Sequence, residues 1–329
     1  MQPTLLITGG CGYVGSRIAL KLSGEKINIV VADKATPNER GVSFHKDIEF
    51  RYGDLRERDK CAKALKGVDY VLHLAANIGP LTYMHEHQAE IMQENSAIDA
   101  AFYPAMIEQG KVKAIIYSSS SMVFQHASHY PYEERDLKEI NPPSNIYGFS
   151  KLAGEYFCRS FKEQYGLPYV ILRYHNIYGP GEDSKGSSPG DIHVIPALIE
   201  KVVKGQYPLK ILGDSTATRP FTYIDDAVDA TVRIVEETMN GNSKVINNDF
   251  NIGVATATRI LDLAEIIWRL LGDGRPFKYE VEKTFAITAV RREMSSEKIE
   301  KILGWKPKII LEDGIQRTAE WIKNRRVNL

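Results

Sequence analysis

The sequence predicts an α/β fold: a doubly wound parallel sheet followed by a smaller mixed α/β region. Three observations carry that reading. Short β-rich runs alternate with helical stretches through the first half of the chain, which is the rhythm of parallel strands joined by crossover helices. Two of those runs, 5–8 and 70–76, are apolar on both alternating faces, as a sheet covered on both sides requires. A glycine-rich turn, Thr8-Gly9-Gly10-Cys11-Gly12-Tyr13-Val14-Gly15, directly follows the first run.

Taken in order, strands are expected over 5–8, 27–33, 49–54, 70–76, 114–119 and 169–173. Helix-like stretches lie between them over 15–24, 57–66, 88–109 and 145–165. Pro104 inside the third stretch predicts a kink or a break. After Arg173 the rhythm changes. Gly179-Pro180-Gly181 opens a polar stretch over 182–191 that reads as a mobile loop. Amphipathic runs follow at 194–204, 224–238, 258–271 and 312–325. The expected division is a Rossmann-type domain over 1–175, to which the chain returns around 220–252, and a second domain over 176–329.

Bulk properties exclude several classes. Of 329 residues, 43% are hydrophobic and 26% charged, which is ordinary globular composition. Lysine plus arginine equals aspartate plus glutamate, 42 each, so nothing favours a nucleic-acid or membrane-surface partner. No run approaches the roughly 20 apolar residues of a spanning helix. The first eight residues lack the basic start and cleavage site of a signal peptide, and a cytoplasmic location is expected. The three cysteines, Cys11, Cys61 and Cys158, form no CxxC pair and read as reduced packing residues. His85 and His87 lack a third clustered ligand, so no metal site is expected.

The glycine turn is the first functional signal. Gly9, Gly12 and Gly15 let the backbone turn sharply and approach a pyrophosphate, while the helix that starts there aims free N–H groups at the anion. Tyr13 and Val14 belong to the same turn. Asp33 ends the second strand, 18 residues after Gly15. A carboxylate there accepts hydrogen bonds from the adenosine ribose hydroxyls and repels a 2′-phosphate, which favours NAD over NADP.

The second signal is Tyr147-Gly148-Phe149-Ser150-Lys151, in a helix capped by Ser144 or Asn145 and stopped by Gly166 and Pro168. At i and i+4, Tyr147 and Lys151 share one face. An ammonium near a phenol is expected to lower the phenol's pKa, which fits it to move a proton while hydride leaves carbon. The fifth strand ends in the serine run from Ser118 to Ser121, followed by Met122, Val123 and Phe124, at the end of the sheet where ligands bind.

With these motifs the chain resembles the extended short-chain dehydrogenase/reductase family, in its nucleotide-sugar epimerase/dehydratase group of the UDP-galactose 4-epimerase type. The resemblance covers nearly the whole length. It includes Gly53-Asp54-Leu55, His73-Leu74-Ala75-Ala76 and Asn95. It continues through the run from Leu172 to Gly181, the run from Thr218 to Asp226, Phe250-Asn251-Ile252-Gly253 and Leu303-Gly304-Trp305-Lys306-Pro307. It implies a catalytic triad of Ser120, Tyr147 and Lys151. Cofactor contacts are implied from Asp54 (adenine), Leu55, His73, Leu74, Ala75, Ala76, Asn95, Ser118 and Tyr174, and from Tyr147 and Lys151 of the triad themselves. Substrate contacts are implied from Ser121, Met122, Asn176, Arg219 and Arg292, the arginines suiting a bidentate grip on a diphosphate. His175 and His193 are expected to face or flank the cleft. A homodimer through the helices over 88–109 and 145–165 is implied as well.

The neighbours of the triad discriminate among the family's chemistries. Its dehydratases carry an acidic pair directly after the catalytic hydroxyl, where this chain has Ser121 and Met122. Its 3,5-epimerases carry a cysteine at the place of Met122, and a thioether has no proton to give. The expectation is therefore C4 epimerisation of a nucleotide sugar, a UDP-sugar first, by hydride removal and return. The alternatives are a dehydratase, a net dehydrogenase, or a catalytically silent NAD-sensing protein.

Overall fold

The computed structural model describes residues 2–79, 81–182, 193–282 and 291–327. Six parallel strands come from the first half: β1 (Thr4–Thr8), β2 (Asn28–Asp33), β3 (Ile48–Tyr52), β4 (Tyr70–His73), β5 (Ala114–Ser120) and β6 (Tyr169–Tyr174). A seventh, Asn248–Ile252, joins parallel to β6, so the order across the sheet is Asn248–Ile252, β6, β5, β4, β1, β2, β3. This late strand forms the edge of the sheet beside β6.

Strand alternation explains the layers. Leu5 and Ile7 enter one apolar cluster, with Val31, Leu72 and Leu172, while Leu6 enters another, with Val30, Val71 and Ile171. Each central strand is thus apolar on both sides. Helices α1 (Tyr13–Leu22), α2 (Arg58–Ala64), α3 (Leu81–Glu86), α4 (Gln88–Gln109) and α5 (Ile146–Tyr165) connect the strands. Helices α2, α4 and α5 pack side by side under the second cluster, and α1 covers the first together with α7 (Ile224–Met239). Pro104 lies within α4, which runs unbroken as one helix over Gln88–Gln109, so the expected break is absent. Helix α5 begins as predicted, with the Asn145 side chain accepting from the Gly148 N–H at 3.1 Å, and ends on left-handed Gly166.

The second region packs α6 (Val194–Val203), α8 (Ile260–Leu271) and a C-terminal helix over Leu311–Val327 against one another. Two short parallel strands, Leu209–Leu212 and Tyr279–Glu282, lie beside them. Its apolar residues, among them Ile195, Leu209, Leu263 and Trp305, continue the cluster that covers the α1 face of the sheet. The polar stretch expected as a loop lies, from 183 to 191, outside the described residues. Cys11, Cys61 and Cys158 are free and buried.

Candidate active site

Every strand from β1 to β6 delivers a residue to one place, the carboxyl edge of the sheet, where a cavity of about 1180 Å³ opens between the two regions. Gly9, Gly12, Tyr13, Val14 and Gly15 line one end of it. Gly9 adopts φ +65, and a Cβ there would lie 2.9 Å from the Ala75 backbone nitrogen, so only glycine lets these two loops meet. Gly12 caps α1 without a side-chain hydrogen bond, and the first turn carries no acidic residue. The helix end is therefore left polar and positive toward the cavity. The buried hydroxyl of Tyr13 has no hydrogen-bond partner among the described residues. An anionic dinucleotide fits this cradle: free N–H groups, no Cβ in the way, and an unsatisfied donor on the wall.

Asp33 is oriented by backbone. One carboxylate oxygen accepts from Cys11 N at 3.1 Å and the other from Ala35 N at 3.0 Å. Asp54 also lines the cavity and is gripped by Arg56, whose hydrogen bond holds its carboxyl below the usual range. Leu55, Leu74, Ala75, Ala76, Ser118 and Tyr174 line the same cavity. Tyr174 shares a hydrogen bond of 2.7 Å with Thr231.

Two residues expected at the cofactor are set back from it. Asn95, on α4, donates to Ser150 Oγ at 3.0 Å and to the Asn77 carbonyl at 3.1 Å, and it accepts from the Asn77 N–H. It ties α4 to α5 and to the loop after β4. His73 is fully buried: alternation along β4 turns it with Val71 toward the α4 layer, away from the cavity.

The three residues expected to form the triad, Ser120, Tyr147 and Lys151, all line the cavity. Ser120 closes β5 and caps the short turn Ser121–Phe124, its oxygen accepting from Met122 N at 3.2 Å. Its hydroxyl also hydrogen-bonds Tyr147. Burial holds the Tyr147 phenol above its ordinary value, and the Ser120 hydrogen bond offsets only part of that rise. The depression by Lys151 expected from sequence is thus absent. The Lys151 Nζ instead sits 4.9 Å from the centroid of the Tyr117 ring. Burial lowers the Lys151 ammonium to about 8, against the pull of Asp99, Cys158 and Glu155.

Behind the serines lies a dry ion network absent from the sequence reading. Arg173 grips Glu155 through two bonds of 2.7 Å and reaches Asp249 at 2.8 Å. Ser119 donates to the same Glu155 at 2.6 Å. No local pattern names the other members of this network, which come from α5, β6 and the strand Asn248–Ile252.

At the opposite end of the cavity stand Asn176, Arg219 and Arg292, beside Ser121 and Met122. Burial, and next the like charge of Arg292, bring the Arg219 guanidinium down to about 9. Burial lowers Arg292 as well. Burial disfavours both cations, and Arg292 further disfavours Arg219, a strain that an anion between them would relieve. His193 lines the cavity and pairs with Glu182; burial opposes its protonation, but the Glu182 hydrogen bond holds the imidazole above its ordinary value. His175 is fully buried behind the wall, and burial pushes it well below its ordinary value. Among the described residues the cavity also includes Arg40, Met84 and Lys201, which sequence reasoning did not find.

Comparison with known proteins agrees with this geometry. The profile of the NAD dependent epimerase/dehydratase family matches residues 5–253. A GDP-mannose 3,5-epimerase of Oryza sativa subsp. japonica is 30% identical over 323 residues, covering 97% of this chain and 81% of that one. A UDP-glucose 4-epimerase of Halalkalibacterium halodurans is 28% identical over 332 residues, covering 97% and 95%. Among solved structures, the UDP-glucuronic acid 4-epimerase of Bacillus cereus, in complex with UDP-glucuronic acid and NAD, superposes with a TM-score of 0.83. Its identity is 26%, with 98% of this chain and 99% of that chain covered.

Proposed function

This chain belongs to the NAD dependent epimerase/dehydratase family, and from that premise we propose that it is a nucleotide-sugar 4-epimerase, with a UDP-sugar as its first candidate substrate. One observation carries the choice of reaction. The wall beside Tyr147 is made by Ser121 and Met122, both buried in place. Neither brings a carboxyl or a thiol to a sugar carbon, so proton transfer at carbon has no agent there. Proton transfer at oxygen has one.

In this reading Tyr147 takes the proton of the C4 hydroxyl as that carbon gives up its hydride, leaving a 4-keto sugar. Tyr147 returns the proton when hydride comes back to the opposite face. Ser120, fixed by the Met122 N–H, keeps the hydrogen bond to the reacting oxygen and to Tyr147. Lys151 holds positive charge beside them. NAD, held by the glycine turn and Asp33, would supply the hydride acceptor for this chemistry. Asn176, Arg219 and Arg292 hold the diphosphate; an anion between the two arginines relieves their mutual repulsion. Residues 1–175 with the return over 220–252 hold the cofactor, and the remainder holds the sugar nucleotide.

We also infer a homodimer through α4 and α5. Phe149 and Tyr156, seven residues apart on α5, are 39% and 61% exposed and present one apolar stripe. Sedimentation of the wild type against Tyr156→Asp reads it: a dimer that becomes a monomer is expected, and a monomeric wild type refutes it.

The activity is tested by proton NMR in D2O, with no added cofactor and a panel of nucleotide sugars. A new sugar isomer carrying no solvent deuterium is expected. Deuterium at a sugar carbon, or loss of water, would mean enolate chemistry of the kind the 3,5-epimerase or dehydratase relatives imply, and would overturn the reading. Accumulating NADH would mean net oxidation.

A further inference from the structure

Helix α4 sends a second polar side chain inward one turn after Asn95. Asp99 is 4% exposed, and among the described residues its hydrogen-bond partner is a histidine, His73 Nε2, at 3.2 Å. The other side of that ring fixes its tautomer. Thr8 Oγ1 accepts from the N–H groups of Leu74 and Ala75, at 3.1 and 3.2 Å, so its own hydrogen goes to His73 Nδ1 at 2.8 Å. The ring proton therefore sits on Nε2 and is donated to Asp99. Phe102 stacks on the imidazole at 4.7 Å, and Tyr103 and Tyr117 box in the remaining sides. Asp99 is held as an acceptor in an apolar shell.

Lys151 faces the same shell from α5. It is 3% exposed, and its Nζ lies against the face of Tyr117. Tyr117 bridges the two charges: a Cβ built on Gly154 would lie 1.9 Å from the Tyr117 hydroxyl and 2.9 Å from Asp99 Oδ2. One turn of α5 beyond Lys151 is thus left bare so that the tyrosine and the carboxylate can approach. The charged and titratable groups around Lys151 are Asp99 from α4, Tyr117 from β5, and Tyr147, Glu155 and Cys158 from α5 itself. Glu155 is already gripped by Arg173 and Arg159. Asp99 is not ion-paired to any arginine among the described residues, and it acts on Lys151 through space.

We propose that Asp99, clamped by His73 and Thr8, is the buried counter-charge that keeps Lys151 cationic and aimed at the cavity wall. It is a positioning residue, acting through the lysine. The same hydrogen-bond chain ends on the Leu74 and Ala75 amides, whose residues line the cavity, so one strut sets both the lysine's charge and the wall opposite it. A buried ammonium loses its proton readily unless an opposite charge stands near in low dielectric.

The inference rests on reading Lys151 as part of the triad, but its test does not need turnover. With lysine labelled at 13Cε, and the Lys151 signal assigned by its loss in Lys151→Arg, the midpoint is followed with pH. Asp99→Asn keeps an acceptor for His73 and removes the charge; the Lys151 midpoint is expected to fall by about one pH unit or more. Tyr117→Phe, which leaves both charges, should not move it. Where Asp99→Asn does not fold, Asp99→Ser, smaller and likewise uncharged, is titrated the same way, and the same fall of the Lys151 midpoint is expected. If the Lys151 midpoint does not shift, Asp99 is a packing residue and the proposal fails. For an active protein the alkaline limb of turnover should move with the lysine. A limb that stays put while turnover drops also overturns it. If no sugar turns over, the function reading falls while the titrations still answer this one.

Discussion

Removing the Glu155 carboxylate should be among the most damaging single changes in this protein. Its two oxygens are fully used: Oε1 accepts from Arg173 Nε at 2.7 Å and Ser119 at 2.6 Å, and Oε2 from Arg173 Nη2 at 2.7 Å and Arg159 at 3.0 Å. Glu155 and Arg173 are both inaccessible to solvent, so water cannot replace what is lost. Glu155→Leu leaves the Arg173 guanidinium facing Asp249 alone, with its Nη1 already lacking a partner among the described residues. Breaking one side of a buried pair costs about 3–5 kcal/mol, most of it the uncompensated charge left behind. The assay is urea unfolding followed by fluorescence, comparing midpoints at constant slope. The double variant Glu155→Leu with Arg173→Met should recover most of the loss, because Asp249 keeps Lys298 at 2.6 Å. A cost below about 1 kcal/mol in the single variant, or an equal cost in the Arg173→Met background, would refute the reasoning.

Three further expectations address the site. Tyr147→Phe should lower turnover by about 10²–10⁴, the usual worth of a positioned acid–base group, with NAD affinity little changed by calorimetry; near-normal turnover would remove Tyr147 from its role. Burial and the like charge of Arg292 disfavour the Arg219 cation, but a guanidinium stays protonated across the working range, so a diphosphate there gains a full counter-charge. Arg219→Met should weaken UDP binding by about 1.5–3 kcal/mol, read by calorimetry, and an unchanged affinity would refute the assignment. Gly148→Ala places a Cβ 2.7 Å from the Met122 carbonyl oxygen. Backbone must then move at the turn that fixes Ser120, at a cost of about 1–3 kcal/mol and with a fall in turnover, read by unfolding and steady-state rates.

Much of the architecture was written locally. Periods of two and of 3.6 residues, the cap at Asn145 and the stop at Gly166 predict strands and helices within a few residues of those found, because each depends on neighbours in the chain. The nucleotide end was legible for the same reason. A glycine turn between a strand and a helix, and a carboxylate ending the next strand, are one local device, and Gly9, Gly15 and Asp33 meet at the cavity.

What pairs across the fold was not legible. Pro104 breaks helices by the local rule, yet α4 runs through it, since packing against α2 and α5 outweighs one lost hydrogen bond. Helical spacing put Lys151 beside Tyr147. The structure shows burial raising the phenol and the ammonium leaning on Tyr117, a residue 34 positions earlier. His73 was assigned to the cofactor by its motif, and the face of β4 turned it to Asp99. The sequence by itself determined which backbone segments form and which residue types stand at the sheet's carboxyl edge. Only the tertiary structure decided which buried charges face one another, because desolvation and Coulomb energy depend on distances between elements that no local pattern encodes.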